Sequence, residues 1–172
     1  MEQLKVLISE EEINQRLDEL AREIERDYKD KEILALCILK GSVFFAVELT
    51  KRISNPVSYE FMEISSYGDS TESSGVVRIT KDVKSSIENK HIIIIEDIID
   101  TGRTLEYLIE HLKAKKLASI KLCTLLNKPE RRLVDIDVDY VGFDIPDKFV
   151  VGYGLDYAEK YRNLPYIAQM EM

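Results

Sequence analysis

The chain has 172 residues, of which 45% are hydrophobic and 33% are charged. A chain of this length and composition can bury a proper core, whereas disordered proteins carry far fewer large apolar residues. The 24 basic and 32 acidic residues leave a formal net charge of −8. This charge disfavours general affinity for nucleic acids or anionic membranes, because such binding depends on many Lys and Arg side chains.

No segment of the sequence suggests membrane insertion or export. The longest apolar runs, residues 33–39 and 92–95, are far shorter than the ~20 residues that a membrane-spanning helix needs. Residues 1–12 are acidic and lack the basic start and apolar stretch of a signal peptide, so we expect a cytoplasmic protein. Cys37 and Cys123 each lie in an apolar, strand-like segment, which predicts reduced core residues and neither a disulfide nor a zinc site.

The first half of the chain predicts helices, strands and one long loop. Ser9 and Glu12 form a capping-box pattern, and apolar residues at helical spacing continue from there to near Asp30. Residues 33–39 predict a strand buried on both faces, and residues 43–53 predict a second helix. Residues 57–64 and 76–80 predict two further strands, and the polar segment 65–75 between them predicts a mobile loop. A functional lid and a plain hairpin excursion are equally open for this loop.

The second half of the chain repeats the order of strand, loop and helix. Residues 91–96 predict a buried strand, and the helix after it places Leu105, Leu108, Ile109 and Leu112 on one face. Further strands are predicted at residues 119–126, 140–143, 149–153 and 166–170. This alternation predicts one α/β domain over residues 1–172, with a mainly parallel twisted sheet flanked by helices. Ligands of such sheets bind at the carboxyl ends of the strands, which here are residues 39–42, 96–104, 127–130 and 151–156.

The most informative segment is residues 92–104. A run of isoleucines leads to Glu96 and Asp97, and the sequence Asp100-Thr101-Gly102-Arg103-Thr104 then enters a helix. Paired carboxylates suit the hydroxyls of a ribose or a hydrated magnesium ion, and the backbone N–H groups at a helix start suit a phosphate. Gly102 permits close approach of the backbone. The segment therefore predicts a site for a sugar phosphate.

A simpler alternative is that this segment is only a capped turn, with Asp100 or Thr101 as the N-cap of the helix. Against it, three carboxylates at the end of one buried strand are costly unless a cation or ligand relieves them. The segment has neither the Gly-Lys-Ser of a Walker A loop nor a G-x-G-x-x-G dinucleotide motif.

The same segment closely resembles the phosphoribosyl-pyrophosphate motif of the purine phosphoribosyltransferases, in particular their hypoxanthine-guanine branch. Other matches follow in the family's order along nearly the whole chain. Leu39-Lys40-Gly41 resembles the pyrophosphate loop, which contains a cis peptide between its first two residues. Ser66-Tyr67-Gly68 resembles the flexible catalytic hood, Asn127-Lys128-Pro129 the purine-reading segment, and residues 149–157 the carboxyl-terminal signature.

The resemblance implies a type I phosphoribosyltransferase fold with a small hood subdomain built from both chain ends and a flexible loop at residues 65–75. It implies a magnesium-dependent transferase of purine salvage, which moves the phosphoribosyl group of phosphoribosyl pyrophosphate to N9 of hypoxanthine or guanine and forms IMP or GMP. It also implies a homo-oligomer, either dimer or tetramer.

A nucleotide-sensing regulator that binds RNA is the alternative function, and the negative net charge counts against it. A phosphoacceptor domain modified at Asp97 would leave the Asp-Thr-Gly-Arg-Thr segment without a purpose.

The resemblance also implies roles for individual residues. The residues implied to bind the phosphoribosyl donor are Lys40, Gly41, Glu96, Asp97, Asp100, Thr101, Gly102, Arg103, Thr104 and Arg162. Those implied to hold magnesium are Glu96, Asp97 and Asp156, and those implied in the flexible loop are Ser66 and Tyr67. Asp100 is implied as the general base that accepts the N7 proton, Lys128 as the donor to O6, Phe149 as a stacking ring and Val150 as a backbone contact.

Each of these roles has a plain structural alternative. Lys40 and Lys128 could be solvated loop lysines, and Phe149 alone would be expected in the core. Asp156 could merely pair with Arg162. The neighbouring Arg131 and Arg132 are expected to be solvated or to lie at a subunit contact, and we assign no role to the two histidines, His91 and His111.

Overall fold

The computed structural model of the chain describes residues 3–66 and 77–171. The strands are β1 Gln3–Ile8, β2 Ile33–Leu39, β3 Val57–Ser66, β4 Val77–Lys81, β5 His91–Ile99, β6 Ser119–Asn127, β7 Tyr140–Asp144, β8 Val150–Val151 and β9 Ile167–Glu171. The helices are α1 Glu10–Asp27, α2 Val43–Thr50 and α3 Arg103–Lys113, with a 3-10 turn at Pro129–Arg131. No helix within these ranges has both the length and the apolar character needed to cross a membrane.

The main sheet has the strand order β4-β3-β2-β5-β6-β7. Its strands β3, β2, β5, β6 and β7 run parallel, and only the edge strand β4 is antiparallel to its neighbour. The prediction of a mainly parallel sheet is therefore confirmed. Strand β5 lies between β2 and β6, so the acidic motif that it carries is placed between the loops that follow both neighbours.

Helices cover both faces of this sheet, and the alternation along the strands explains the uninterrupted apolar runs. Ala35 and Cys37 of β2 pack in the same cluster as the apolar stripes of α1 and α2, whereas Leu34 and Leu36 pack on the opposite face with α3. Both cysteines are free and buried, as predicted. Burial raises the pKa of the Cys37 thiol to about 12, so this thiol is protonated and unreactive at neutral pH.

A second, antiparallel sheet has the order β1-β9-β8 and joins the two ends of the described chain. Strand β1 pairs along most of its length with β9. Sequence analysis missed β1, because its apolar residues do not alternate cleanly and Val6 is 53% exposed. Its existence depends on a partner strand at the far end of the chain, which local sequence does not reveal.

Several predicted boundaries were wrong by a few residues. Helix α1 ends at Asp27 and α2 at Thr50, where the sequence predicted ends near Asp30 and at residue 53. After α2 the chain continues through i to i−3 bonds from Arg52 N to Leu49 O and from Ile53 N to Thr50 O, which are turns and not α-helix.

Strand boundaries also differ from the prediction. Strand β5 continues to Ile99 instead of ending at residue 96, because it remains paired with β6 as far as Asn127. Strand β3 continues to Ser66, and β8 is restricted to Val150–Val151. Tyr67 and the rest of the predicted loop up to residue 75 lie outside the described residues.

The capping box at the start of α1 provides a test of the fold. The Ser9 side chain accepts a hydrogen bond from the Glu12 backbone N–H, and the Glu12 carboxylate accepts one from the Ser9 backbone N–H. Ser9→Ala should lower the free energy of unfolding by about 1 kcal/mol, because it leaves a backbone donor of the first turn without its partner. Chemical denaturation followed by circular dichroism measures this change. Ser9→Asp keeps a capping oxygen and should be close to wild type, so equal losses in both variants would contradict the capping explanation.

Candidate active site

The centre of the site is the acidic pair of β5. Glu96 and Asp97 lie within the strand and are half-buried, whereas the sequence placed them at an exposed strand end. Burial raises the pKa of Glu96 well above its usual range, and the neighbouring Asp97 charge adds to this rise. Burial also raises the pKa of Asp97, while the positive charge of Arg162 acts in the opposite direction. The pair is therefore costly to ionise and is well suited to a cation.

Two glycines allow the neighbouring loops to close around Asp97. A Cβ on Gly41 would lie 1.8 Å from Oδ2 of Asp97, and a Cβ on Gly154 would lie 2.0 Å from the carbonyl oxygen of Gly41. No larger residue fits at either position without moving the backbone or the acid. The peptide between Leu39 and Lys40 is cis, as the resemblance implies. The loop after β2, strand β5 and the loop after β8 thus meet at this point.

The loop after β8 brings two predicted donor-binding cations together. Arg162 donates from Nη1 to the Gly154 carbonyl at 2.7 Å, and its Nη2 lies 3.3 Å from Oδ1 of Asp156. Asp156 does pair with Arg162, as its structural alternative proposed, and it also accepts a hydrogen bond from the Glu159 backbone N–H. The Glu159 carboxylate lies 3.5 Å from Arg162 Nη2 and 3.6 Å from Lys40 Nζ. Sequence analysis missed Glu159, because its position between the two cations depends on the folded loop.

The loop before α3 begins a helix without a side-chain cap. Gly102 is the N-cap with φ 87°, and no side chain caps the helix, so the capped-turn alternative for Asp100 or Thr101 is wrong. A Cβ on Gly102 would lie 2.9 Å from Cγ2 of Val134, and this close packing requires glycine in addition to the positive φ. Thr101, Gly102 and Thr104 line a pocket of about 170 Å³ together with Glu96 and Asp100, while Arg103 is exposed.

Three successive carbonyl groups attach this loop to the segment after β6. The carbonyl of Ile99 accepts from the Lys128 backbone N–H at 3.0 Å, that of Asp100 from Arg132 Nε at 3.3 Å, and that of Thr101 from the Leu133 backbone N–H at 3.0 Å. The guanidinium of Arg132 also contacts the Asn127 side chain. The loop after β5, residues 99–101, and the segment after β6, residues 128–133, therefore form one connected unit.

Asp100 and Lys128 are both held by ion pairs within this unit. Lys128 is 8% exposed and its Nζ lies 3.5 Å from Oδ1 of Asp147, so it is not a solvated loop lysine. Arg131 lies 2.6 Å through Nε from Oδ1 of Asp100 and 3.2 Å through Nη1 from Oδ2 of Asp147. Arg131 is exposed, as expected, but it is also paired with two carboxylates, and Arg132 donates to the Asp100 carbonyl. The subunit-contact alternative stays a prediction. Asp147 was missed by sequence analysis, and no local pattern marked it.

The aromatic residue after this unit is not part of the core. Phe149 is 41% exposed and meets Tyr157 edge to face, with ring centroids 5.8 Å apart and an interplanar angle of 86°. The core alternative for Phe149 is therefore wrong, since the ring is available for stacking. Val150 is buried in β8 and paired with Gln169. Ser66 is the last residue of β3, and Tyr67 lies outside the described residues.

The donor chemistry of the acidic pair fits magnesium. Among residues 3–66 and 77–171, no three His, Cys, Asp or Glu side chains are grouped closely enough to form a metal site by themselves. Magnesium does not need such a cage, because it keeps several waters and is commonly bound through one or two carboxylates together with substrate phosphates. Glu96 and Asp97 supply these oxygen ligands, and the raised pKa of both carboxyl groups indicates that a cation would relieve their charge.

Comparison with known proteins identifies the family. The sequence matches the family described as phosphoribosyl transferase domain over residues 8–158. It is 54% identical to the hypoxanthine-guanine phosphoribosyltransferase of Bacillus subtilis over 167 residues, which cover 97% of this chain and 93% of that protein.

Solved structures agree with this similarity. A hypoxanthine-guanine phosphoribosyltransferase from Bacillus anthracis superposes with a TM-score of 0.93 at 48% identity over 100% of both chains. A hypoxanthine phosphoribosyltransferase from Staphylococcus aureus gives a TM-score of 0.93 at 51% identity over 97% of this chain and 91% of the other. The expected type I fold is thereby confirmed. This chain therefore belongs to the phosphoribosyltransferase family, in the branch whose members are named hypoxanthine-guanine phosphoribosyltransferases.

Proposed function

We propose that the chain transfers the 5-phosphoribosyl group of phosphoribosyl pyrophosphate to N9 of hypoxanthine and guanine, forming IMP and GMP with release of pyrophosphate. This is the activity of a purine-salvage pentosyltransferase. The observation that carries the proposal is the connected unit at the carboxyl edge of the sheet. There the loop that follows the acidic pair, before α3, is attached by three hydrogen bonds to the segment that holds the buried Lys128.

At the donor end, the reaction separates charge. Cleavage of the bond between C1′ and pyrophosphate develops positive charge on the ribose and negative charge on the leaving group, which needs cations as the bond breaks. Lys40 and Arg162 supply them: both lie within 3.6 Å of the Glu159 carboxylate, which shows that their charged groups converge on one anion. The loop from Thr101 to Thr104 binds the 5′-phosphate with the backbone N–H groups at the start of α3 and the two Thr hydroxyls.

Glu96 and Asp97 would hold the ribose hydroxyls and a magnesium ion with its water shell. When bound, magnesium neutralises charge on the pyrophosphate and orients it. The resemblance also implies Asp156 as a ligand, but within the described residues Asp156 pairs with Arg162 and does not form a metal-sized group with Glu96 and Asp97. Gly41 brings the backbone of the pyrophosphate loop close to this site, as its approach to Oδ2 of Asp97 requires a residue without a side chain.

At the purine end, Asp100 would accept the proton from N7 as N9 bonds to the ribose. Lys128 would donate to O6, and its burial makes that contact worth more than the same contact in water. The exposed ring of Phe149 would stack on the base, and Val150 would contact it through its backbone. Ser66 is the last residue of β3, and the part of the predicted 65–75 loop from Tyr67 onward lies outside the described residues. As the resemblance implies, we propose that this loop closes over the site to exclude water.

The nucleotide-sensing regulator receives no support from the relatives named above. A steady-state assay with hypoxanthine, guanine, xanthine and adenine, each with phosphoribosyl pyrophosphate and magnesium, tests the proposed activity directly. We expect turnover of the first two bases and none of adenine. Turnover of no base, together with RNA binding at moderate salt, would favour the regulator.

The two described cysteines are free thiols, which are typical of a reducing compartment. This agrees with the cytoplasmic location that we propose. The homo-oligomer, either dimer or tetramer, stays a prediction.

Asp100→Asn tests the general base. The amide keeps the shape of the side chain but cannot accept a proton, so kcat should fall by ~10²–10⁴-fold with donor binding retained. Steady-state kinetics and titration of phosphoribosyl pyrophosphate measure the two effects. Asp137→Asn makes the same change at an exposed position between β6 and β7 and should leave kcat unchanged. Near wild-type turnover in Asp100→Asn would remove this residue from its proposed role.

Lys128→Ala tests base recognition separately from donor chemistry. A hydrogen bond from a charged donor is worth roughly 1.5–3 kcal/mol, so KM for hypoxanthine and guanine should rise about 10- to 150-fold. KM for phosphoribosyl pyrophosphate should stay the same, and discrimination against adenine should narrow, because an ammonium donates to a 6-oxo group but not to a 6-amino group. Lys113→Ala, at an exposed position of α3, is the control. Equal weakening toward base and donor would show that other residues read the purine.

Glu96→Gln tests the energetic cost of the acidic pair. Because burial and the Asp97 charge both oppose ionisation of Glu96, removing its charge should raise the melting temperature of the protein without magnesium or donor, while weakening donor binding. Thermal unfolding and donor titration, with exposed Glu88→Gln as the control, measure both changes. A lower melting temperature in Glu96→Gln would mean that the Glu96 charge stabilises the fold.

A further inference from the structure

Four charged side chains form a continuous chain across the purine end of the site. In order they are Asp100, Arg131, Asp147 and Lys128, with separations of 2.6 Å, 3.2 Å and 3.5 Å between the charged atoms of successive residues. The two outer members are the residues that the proposed function assigns to N7 and O6 of the base. The two inner members, Arg131 and Asp147, have no role in that assignment.

The fold holds the inner pair in place from both sides. Arg131 ends the 3-10 turn at Pro129–Arg131, and its backbone N–H donates to the Lys128 carbonyl at 3.1 Å. The next residue, Arg132, is fixed to the Asp100 carbonyl. Asp147 follows β7, whose end is attached to β6 by the bonds from Ile145 N to the Asn127 carbonyl and from Asn127 Nδ2 to Asp144. Arg131 therefore reaches Asp100 from a braced turn.

We propose that Arg131 and Asp147 are positioning residues that set the spacing between Asp100 and Lys128 for a 6-oxopurine. N7 and O6 lie on the same edge of the base, so their two partners must be held at a matching separation although they follow different strands. The guanidinium is planar and rigid, and it contacts one carboxylate through Nε and the other through Nη1. Arg131 forms an ion pair with Oδ1 of Asp100, and the second oxygen of this carboxylate would accept the proton.

This inference rests on the proposed roles of Asp100 and Lys128, and kinetics of Arg131→Met and Asp147→Asn test it. Misplacement of a reacting group by about 1 Å can cost 10²-fold. We therefore expect kcat/KM for hypoxanthine to fall by about 10- to 100-fold in each variant, with KM for phosphoribosyl pyrophosphate unchanged. Arg131→Met should act mainly on kcat, through Asp100, and Asp147→Asn mainly on the KM of the base, through Lys128. Arg131→Lys keeps the positive charge but loses the planar guanidinium that contacts both carboxylates, so its kcat/KM should fall as in Arg131→Met.

A double-mutant cycle separates positioning through Asp100 from a general structural effect. When Asp100 is already Asn, Arg131→Met should cause little further loss, because the group that it positions no longer accepts a proton. Arg26→Met, at an exposed ion pair on α1, is the control and should leave activity unchanged. The proposal would be overturned if the fold losses in kcat of Arg131→Met and Asp100→Asn multiplied in the double variant. A rise in KM for the donor, or higher activity in Arg131→Met, would overturn it as well.

The same measurements distinguish failure of the inference from failure of the proposed function. Full turnover in Asp100→Asn would remove the proposed base and with it the role of Arg131. Impaired Asp100→Asn beside fully active Arg131→Met and Asp147→Asn would overturn the positioning role alone. Where Arg131→Met fails to fold, the near-isosteric Asp147→Asn decides by its KM for hypoxanthine: an unchanged value overturns the proposal.

Discussion

The structure depends on the placement of two adjacent carboxylates inside the central strand of a parallel sheet. Glu96 and Asp97 are half-buried, and burial opposes the ionisation of both. Apolar residues at these two positions would make the protein more stable, as the four isoleucines before them do. The surrounding loops can be understood as a response to this cost, because they bring glycines, a guanidinium and helix N–H groups to the same edge of the sheet.

Close approach of the backbone at this edge depends on the absence of side chains. Gly41 and Gly154 contact each other, and Gly41 contacts the Asp97 carboxylate, so three segments converge where a single methyl group would separate them. This convergence lets Arg162 act on both Asp97 and Asp156 from one position. Positive charge is thus supplied to the donor end by a few residues, although the protein as a whole is strongly acidic.

The purine end is organised by a different principle, in which opposite charges are joined in series. Lys128 is nearly buried, and a buried ammonium is costly unless it is paired. Asp147 pairs it, and Arg131 in turn pairs Asp147 and Asp100. The charged residues implied to contact the base are therefore held by protein partners before any ligand binds, which reduces the cost of ordering them on binding.

The sequence by itself determined the α/β class, most elements and the motif of residues 92–104, because hydrophobic periodicity, capping patterns and turn residues act locally. It also placed Lys40, Asp100 and Lys128 at strand ends, and a resemblance that covers nearly the whole chain implied Arg162 as a further residue of the site. Only the tertiary structure decided the existence of β1, the burial of Lys128, the exposure of Phe149 and the contacts of Arg131, Asp147 and Glu159. Most of these depend on partners distant in sequence: β1 pairs with the last strand, and Arg131, after β6, reaches Asp100, after the neighbouring strand β5. Local patterns report which face or turn a residue prefers, but a charge meets its partner only when the sheet brings separate loops to one edge.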